Sequence, residues 1–131
     1  MEKFELQDFF KRINLNTELK VISKDICKVY NLGDYISEEL ITIGYEDFNF
    51  ILNTTLNKYC VKVFSKERTT QEIVDYIDRM EHVNNIGINF PPIITLNSKS
   101  LYELTIEDVT YRICVFEYID GKNYLELHTK P

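Results

Sequence analysis

No stretch of the 131-residue chain is apolar for long enough to cross a bilayer, and the opening Met1-Glu2-Lys3-Phe4-Glu5-Leu6 is too charged for a secretory signal. A basic excess is lacking too. Fifteen Lys and Arg stand against 21 Asp and Glu, a net charge of −6, which excludes the basic face that a nucleic-acid backbone requires. Acidity of this size usually serves solubility, and suits a cationic small molecule only mildly. Cysteine is sparse: Cys27, Cys60 and Cys114 lie far apart, with no Cys-x-x-Cys spacing and no partnered histidine. An odd number of thiols in apolar surroundings argues against a disulfide framework or a metal site. It reads as buried reduced thiols in a reducing compartment, the cytoplasm. Repeats and low-complexity segments are absent. So is a glycine-rich phosphate cradle, since Gly44 stands alone in its turn.

What is present suffices for one domain. Hydrophobic residues make up 44% of the chain, including eight Phe and nine Tyr, enough for a proper core. Phe4, Leu6, Phe9, Phe10 and Ile13 fall at nearly helical spacing. Asn16-Thr17 then reads as the cap of a second helix carrying Leu19, Ile22, Ile26, Val29 and Tyr30, with Gly33 as its stop. From Ile36 to Phe64 the pattern predicts three antiparallel strands joined by short turns. Thr69-Thr70 opens a long helix reaching Asn85, stopped by Gly87. Three more strands follow over 93–96, 101–106 and 110–118, the first two joined at Asn97-Ser98-Lys99. This order is α+β with an antiparallel sheet.

Lys62 is the first residue with chemistry to explain. It sits among apolar neighbours in Tyr59-Cys60-Val61-Lys62-Val63-Phe64. It either snorkels to the solvent face or is buried, and a buried ammonium needs an acid or a phosphate to answer it. Glu72 lies on the apolar flank of the following helix and is one candidate acid, with Asp75 as a substitute. Thr69-Thr70-Gln71-Glu72 is equally a capping box, in which Glu72 bonds only the Thr69 amide. Two further elements carry little information alone. Gly44 to Phe50 reads as a polar turn, and Val115 to Gly121 as a strand end with free backbone groups.

Taken in order, these elements resemble the N-terminal lobe of kinases related to aminoglycoside phosphotransferases, closest to the homoserine-kinase-like branch. Five stretches over roughly residues 28–124 carry the likeness. They are Tyr30-Asn31-Leu32-Gly33; Gly44-Tyr45-Glu46-Asp47-Phe48-Asn49-Phe50 leading to Thr54; Tyr59-Cys60-Val61-Lys62; His82 through Gly87-Ile88-Asn89-Phe90-Pro91; and Asp120-Gly121. The resemblance implies ATP as cofactor. Lys62 would then contact the α- and β-phosphates, with Glu72 as its helix partner. The turn from Glu46 through Asp47 to Asn49 would lie over the phosphates. The Glu117 carbonyl and Ile119 amide would meet the adenine, with Phe116 as gatekeeper. Two departures stand out: Asp47 replaces the usual Asn, and in the aminoglycoside-kinase register the helix glutamate position holds Tyr76.

The expected protein is therefore α+β with a protein-kinase-like N-lobe: a twisted antiparallel sheet of about five strands, one long packed helix, and an N-terminal helical extension. Residues 1–35 would form the extension, 36–121 the lobe and hinge, and 122–131 the start of a connection to a further lobe. The family's His-x-Asp catalytic loop and metal-binding aspartate belong to that further lobe. Neither His82 nor His128 is followed by x-Asp, so the chain alone is expected to be inactive, with Mg²⁺ and the small-molecule substrate held elsewhere. The alternative is a stand-alone module that binds a nucleotide or protein without catalysis. On either reading the surface left by the further lobe is a candidate dimer face. Neither nucleic acid nor membrane is an expected partner.

Overall fold

The computed structural model describes residues 3–44, 46–86 and 91–118. Two helices come first, α1 (Lys3–Lys11) and α2 (Leu19–Val29). Strands β1 (Tyr35–Ile41), β2 (Phe48–Thr54) and β3 (Lys58–Val63) precede the long helix α3 (Thr70–Asn85). Strands β4 (Ile93–Ile94), β5 (Tyr102–Ile106) and β6 (Val109–Glu117) follow. All pairings are antiparallel, in the order β1-β2-β3-β6-β4, with β5 also on β6.

The sheet has six strands rather than about five, because nine-residue β6 serves two short partners along one edge. Its first half pairs with β5 through Ile106↔Val109 to Tyr102↔Ile113, and its second half with β4 through Ile94↔Val115 and Ile93↔Phe116. The expected turn at Asn97-Ser98 exists, both residues having positive φ, but it joins only the Leu96↔Lys99 bridge. β4 and β5 therefore do not form a hairpin with each other.

Strand alternation sends successive side chains to opposite faces, and each face has its own core. Phe48, Phe50 and Leu52 of β2, Val61 and Val63 of β3, and Tyr111, Ile113 and Val115 of β6 pack with Phe9, Ile13, Ile22 and Ile26 from the α1–α2 side. Ile41, Cys60, Phe64, Cys114 and Phe116 pack instead against Ile73, Tyr76, Ile77 and Met80 of α3. Lys62 alternates with Val61 and Val63, so it lies on the α3 face. All three cysteines are free and buried.

The short motifs have local causes. Gly33 has φ +91°, and a Cβ there would approach Thr55 Oγ1 to 2.7 Å and Leu56 Cγ to 2.8 Å, so only glycine fits. The Thr54 hydroxyl donates to the Leu32 carbonyl at 2.7 Å and accepts the Leu56 and Asn57 amides at 3.2 Å, closing the β2–β3 turn. The expected Asn16-Thr17 cap is not formed: Glu18 is the N-cap of α2 and makes no side-chain cap bond. Asn16 instead donates its side-chain amide to the Ile106 carbonyl and its backbone N–H to the Tyr111 hydroxyl, each at 2.9 Å.

Candidate functional site

Register builds the site. The antiparallel pairing of β2 with β3 sets Asn49 opposite Lys62, and β3 with β6 sets Cys114 on its other side. Both Asn49 and Lys62 are buried. Lys62 does not snorkel. Its Nζ lies 3.4 Å from Asp47 Oδ2, with the two side chains only 6% and 5% exposed, and 5.3 Å from the centre of the Tyr76 ring.

The partner of Lys62 is thus Asp47, from the turn before β2, and neither Glu72 nor Asp75. Glu72 forms the capping box: its Oε1 accepts the Thr69 N–H at 3.0 Å, and its own N–H donates to Thr69 Oγ1 at 3.1 Å. Asp75 accepts the Gln71 side-chain amide at 2.9 Å on the exposed side of the helix. At the first turn the unpaired helix N–H groups are the nearest claim on a carboxylate, and Glu72 answers them. The helix residue that does face Lys62 is Tyr76, one turn further on. Thr69→Ala should accordingly lower stability by about 1 kcal/mol. Urea unfolding of the variant checks this.

Asp47 has more partners than the sequence suggested. Its Oδ1 accepts the Ser65 N–H at 2.9 Å and Arg68 Nε at 3.2 Å, while Oδ2 accepts Arg68 Nη2 at 2.9 Å. Arg12, in the turn just after α1, donates to the Asp47 and Gly44 carbonyls at 3.0 and 3.1 Å, fixing that segment from the opposite face. Arg112 of β6 donates to the Arg68 and Ser65 carbonyls at 2.8 and 2.7 Å, fixing the loop before α3. Glu46 and Glu72 lie 3.3 and 3.9 Å from the Arg68 guanidinium, both about half exposed. The Asp47 charge is thus answered by two cations and a backbone amide.

The electrostatics follow from that count. Burial pushes the Asp47 carboxyl up, but the Arg68 hydrogen bonds, the Lys62 charge and the Ser65 amide outweigh it and hold the group below the ordinary carboxylate range. Lys62 moves the other way: burial depresses its ammonium, and Asp47 only partly restores it. The two directions agree physically, because one carboxylate answers two cations and Arg68 holds the closer contacts. Burial raises Cys60 and Cys114 to about 12, so both thiols stay protonated.

The sequence reading missed Arg12, Arg68 and Arg112. Arg68 had a signal, standing four residues before Glu72 at a helix start; Arg112 had one too, being embedded in an apolar strand. Phe116 is fully buried on the α3 face beside Cys60, its cross-strand partner. The Glu117 amide donates to the Pro92 carbonyl at 3.0 Å. Ile119, the Asp120-Gly121 stretch, Gly87 and residues 122–131 lie outside the described residues. A surface concavity of about 670 Å³ between α3 and the β4–β5 connection is lined by none of the Lys62 group. Among the described residues no His, Cys, Asp or Glu group could hold a metal ion, and no helix is long and apolar enough to cross a membrane.

No protein-family model matches the chain. Similar proteins do exist. The homoserine kinase of Burkholderia ambifaria (strain MC40-6) is 33% identical over 75 residues, covering 57% of this chain and 22% of that enzyme. The homoserine kinase of Bradyrhizobium sp. (strain ORS 278) is 30% identical over 67 residues, covering 51% and 21%. The chain thus spans about a fifth of the length of the curated relatives it matches. Among solved structures, a microcompartment-associated aminopropanol kinase superposes with a TM-score of 0.65 at 15% identity, over 80% of this chain and 33% of that one. The fold is therefore that of a kinase-like N-lobe, and the likeness to the N-terminal lobe of a phosphotransferase family holds in sequence and in structure.

Proposed function

We propose that this chain is the ATP-binding lobe of a phosphotransferase that acts on a hydroxyl group of a small molecule. The observation that carries the reading is the buried Lys62, held on the α3 face beside the turn that contains Glu46 and Asp47. A lysine so placed suits the α- and β-phosphates of a nucleotide. The partly buried Ile51, backed by the buried Cys60 and Phe116, offers apolar surface of the kind a purine ring needs. The strand end at Glu117 would present backbone groups to the adenine edge.

Phosphoryl transfer also needs a base and Mg²⁺ to neutralise the developing charge. In this reading both come from a further lobe, together with the substrate pocket. Three buried free thiols support a reducing compartment, and we place the protein in the cytoplasm.

Without Mg²⁺ the phosphates remain partly hydrated, and each backbone bond to adenine contributes about 1 kcal/mol net. The 131-residue chain should therefore bind ATP with a dissociation constant nearer 1 mM than 1 μM, a difference of about 4 kcal/mol. It should transfer no phosphate to hydroxylated acceptors. Calorimetry with adenosine as competitor checks this. Micromolar ATP binding that adenosine does not displace would count against the site, as would metal-dependent turnover.

A further inference from the structure

The geometry points to Arg68 as a positioning residue for phosphate binding: by taking the Asp47 carboxylate it leaves the Lys62 ammonium free to receive an anionic oxygen. The inference rests on the nucleotide reading above.

Asp47 is shared unequally. Arg68 reaches both carboxylate oxygens, Nε to Oδ1 at 3.2 Å and Nη2 to Oδ2 at 2.9 Å, whereas Lys62 has one contact at 3.4 Å. A guanidinium fork matches a carboxylate edge and stays charged at every relevant pH. An N–O distance of 3.4 Å is long for a hydrogen bond and leaves donor capacity on the ammonium unused. Arg68 is itself held, its backbone carbonyl accepting from Arg112. Among the described residues, the titratable groups facing Lys62 are Asp47 from the turn, Arg68 from the loop, Tyr76 from α3 and Cys114 from β6. Of these, one carboxylate meets two cations, a surplus of one positive charge. Glu46 and Glu72 do not cancel it, because both are half exposed and screened by solvent. Without Arg68 the carboxylate would close on Lys62, and a phosphate would have to displace a buried acid. That is how a chain with a buried carboxylate beside Lys62 can keep an anion site.

The test is a double-mutant cycle on the 131-residue chain, titrating ATP and adenosine into wild type, Arg68→Gln, Asp47→Asn and the double variant. Arg68→Gln should weaken ATP binding about tenfold, the size of one screened charge contact, and leave adenosine unchanged. In the Asp47→Asn background the same substitution should change ATP affinity by no more than about twofold, since the charge it offsets is gone. Equal losses in both backgrounds would overturn the inference, because Arg68 would then be contacting phosphate itself; no loss in the wild-type background would also overturn it. If Asp47→Asn does not fold, Arg68→Lys takes its place: charge without the fork should keep ATP affinity within about threefold, and a full loss counts against the inference. Absence of binding by both ligands would refute the nucleotide reading instead. The inference is then read from the NMR titration of the Lys62 ammonium. Arg68→Gln should move its deprotonation to higher pH, and an unmoved titration would contradict it.

Discussion

Asp47→Ala should lower the stability of the chain by about 3–5 kcal/mol, the usual cost of removing one partner from a buried ion pair. Among the described residues, the substitution leaves the Lys62 ammonium buried with no carboxylate in reach, strips the Ser65 amide of its acceptor, and frees Arg68 from its fork. For a domain of this size the melting temperature should fall by roughly 10–20 °C. The same residue sets an acid limit. Its folded carboxyl titrates below its unfolded value, so its stabilising contribution is complete above about pH 4 and is lost as pH falls through the folded value. Lys62 acts with the same slope at the alkaline end, so stability rises with pH there too. Its folded value is depressed, so the unfolded state holds more protons there, and the strain it imposes is relieved as pH rises past the folded value. Urea unfolding from pH 2 to pH 6 should show Asp47→Asn with a flatter acid limb than wild type. A loss under 1 kcal/mol for Asp47→Ala would contradict the buried network.

Lys62→Met should do the reverse: little to stability, much to ATP. Asp47 keeps Arg68 and the Ser65 amide when Lys62 is gone, so no buried charge is stranded. The methionine fills the stem's volume between Tyr76 and the sheet without a desolvated ammonium. A charge contact with phosphate at ~4 Å is worth about 1–4 kcal/mol before desolvation is subtracted, so ATP affinity should fall about tenfold or more while adenosine affinity holds. Calorimetry with both ligands separates the two. An unchanged ATP affinity would remove Lys62 from the phosphate site, and a stability loss as large as that of Asp47→Ala would make it a structural residue.

The fold was legible because its determinants are local. The apolar pattern from Ile36 to Phe64 marked the three strands, the Thr69-Thr70 cap placed the start of the long helix, and Gly33 marked the end of the second one, where no side chain fits. The turn expected at Asn97-Ser98-Lys99 is present, but the strands it joins pair with the long β6 and not with each other, a non-local choice that no local pattern reveals. Of the site, Lys62 was legible as a charge in an apolar strand. Its partner was not. Periodicity placed Glu72 on the inner flank of α3, but the first-turn amides hold its carboxylate outside. The acid that reaches Lys62 comes from a turn 15 residues earlier in the chain, which only the β2–β3 register brings near. Arg12 and Arg112 act through backbone carbonyls, contacts that no pairing of side-chain types reveals.

The most direct test of the central claim is an amide chemical-shift map of the ¹⁵N-labelled chain titrated with ATP and with adenosine. Nucleotide binding at the α3 face predicts that both ligands perturb Cys60, Phe116 and Glu117, and that ATP alone also perturbs Lys62 and the turn from Glu46 to Asn49, with the ATP shifts half-saturating near 1 mM. Shifts confined to other surfaces, or none at either ligand's solubility limit, would contradict it.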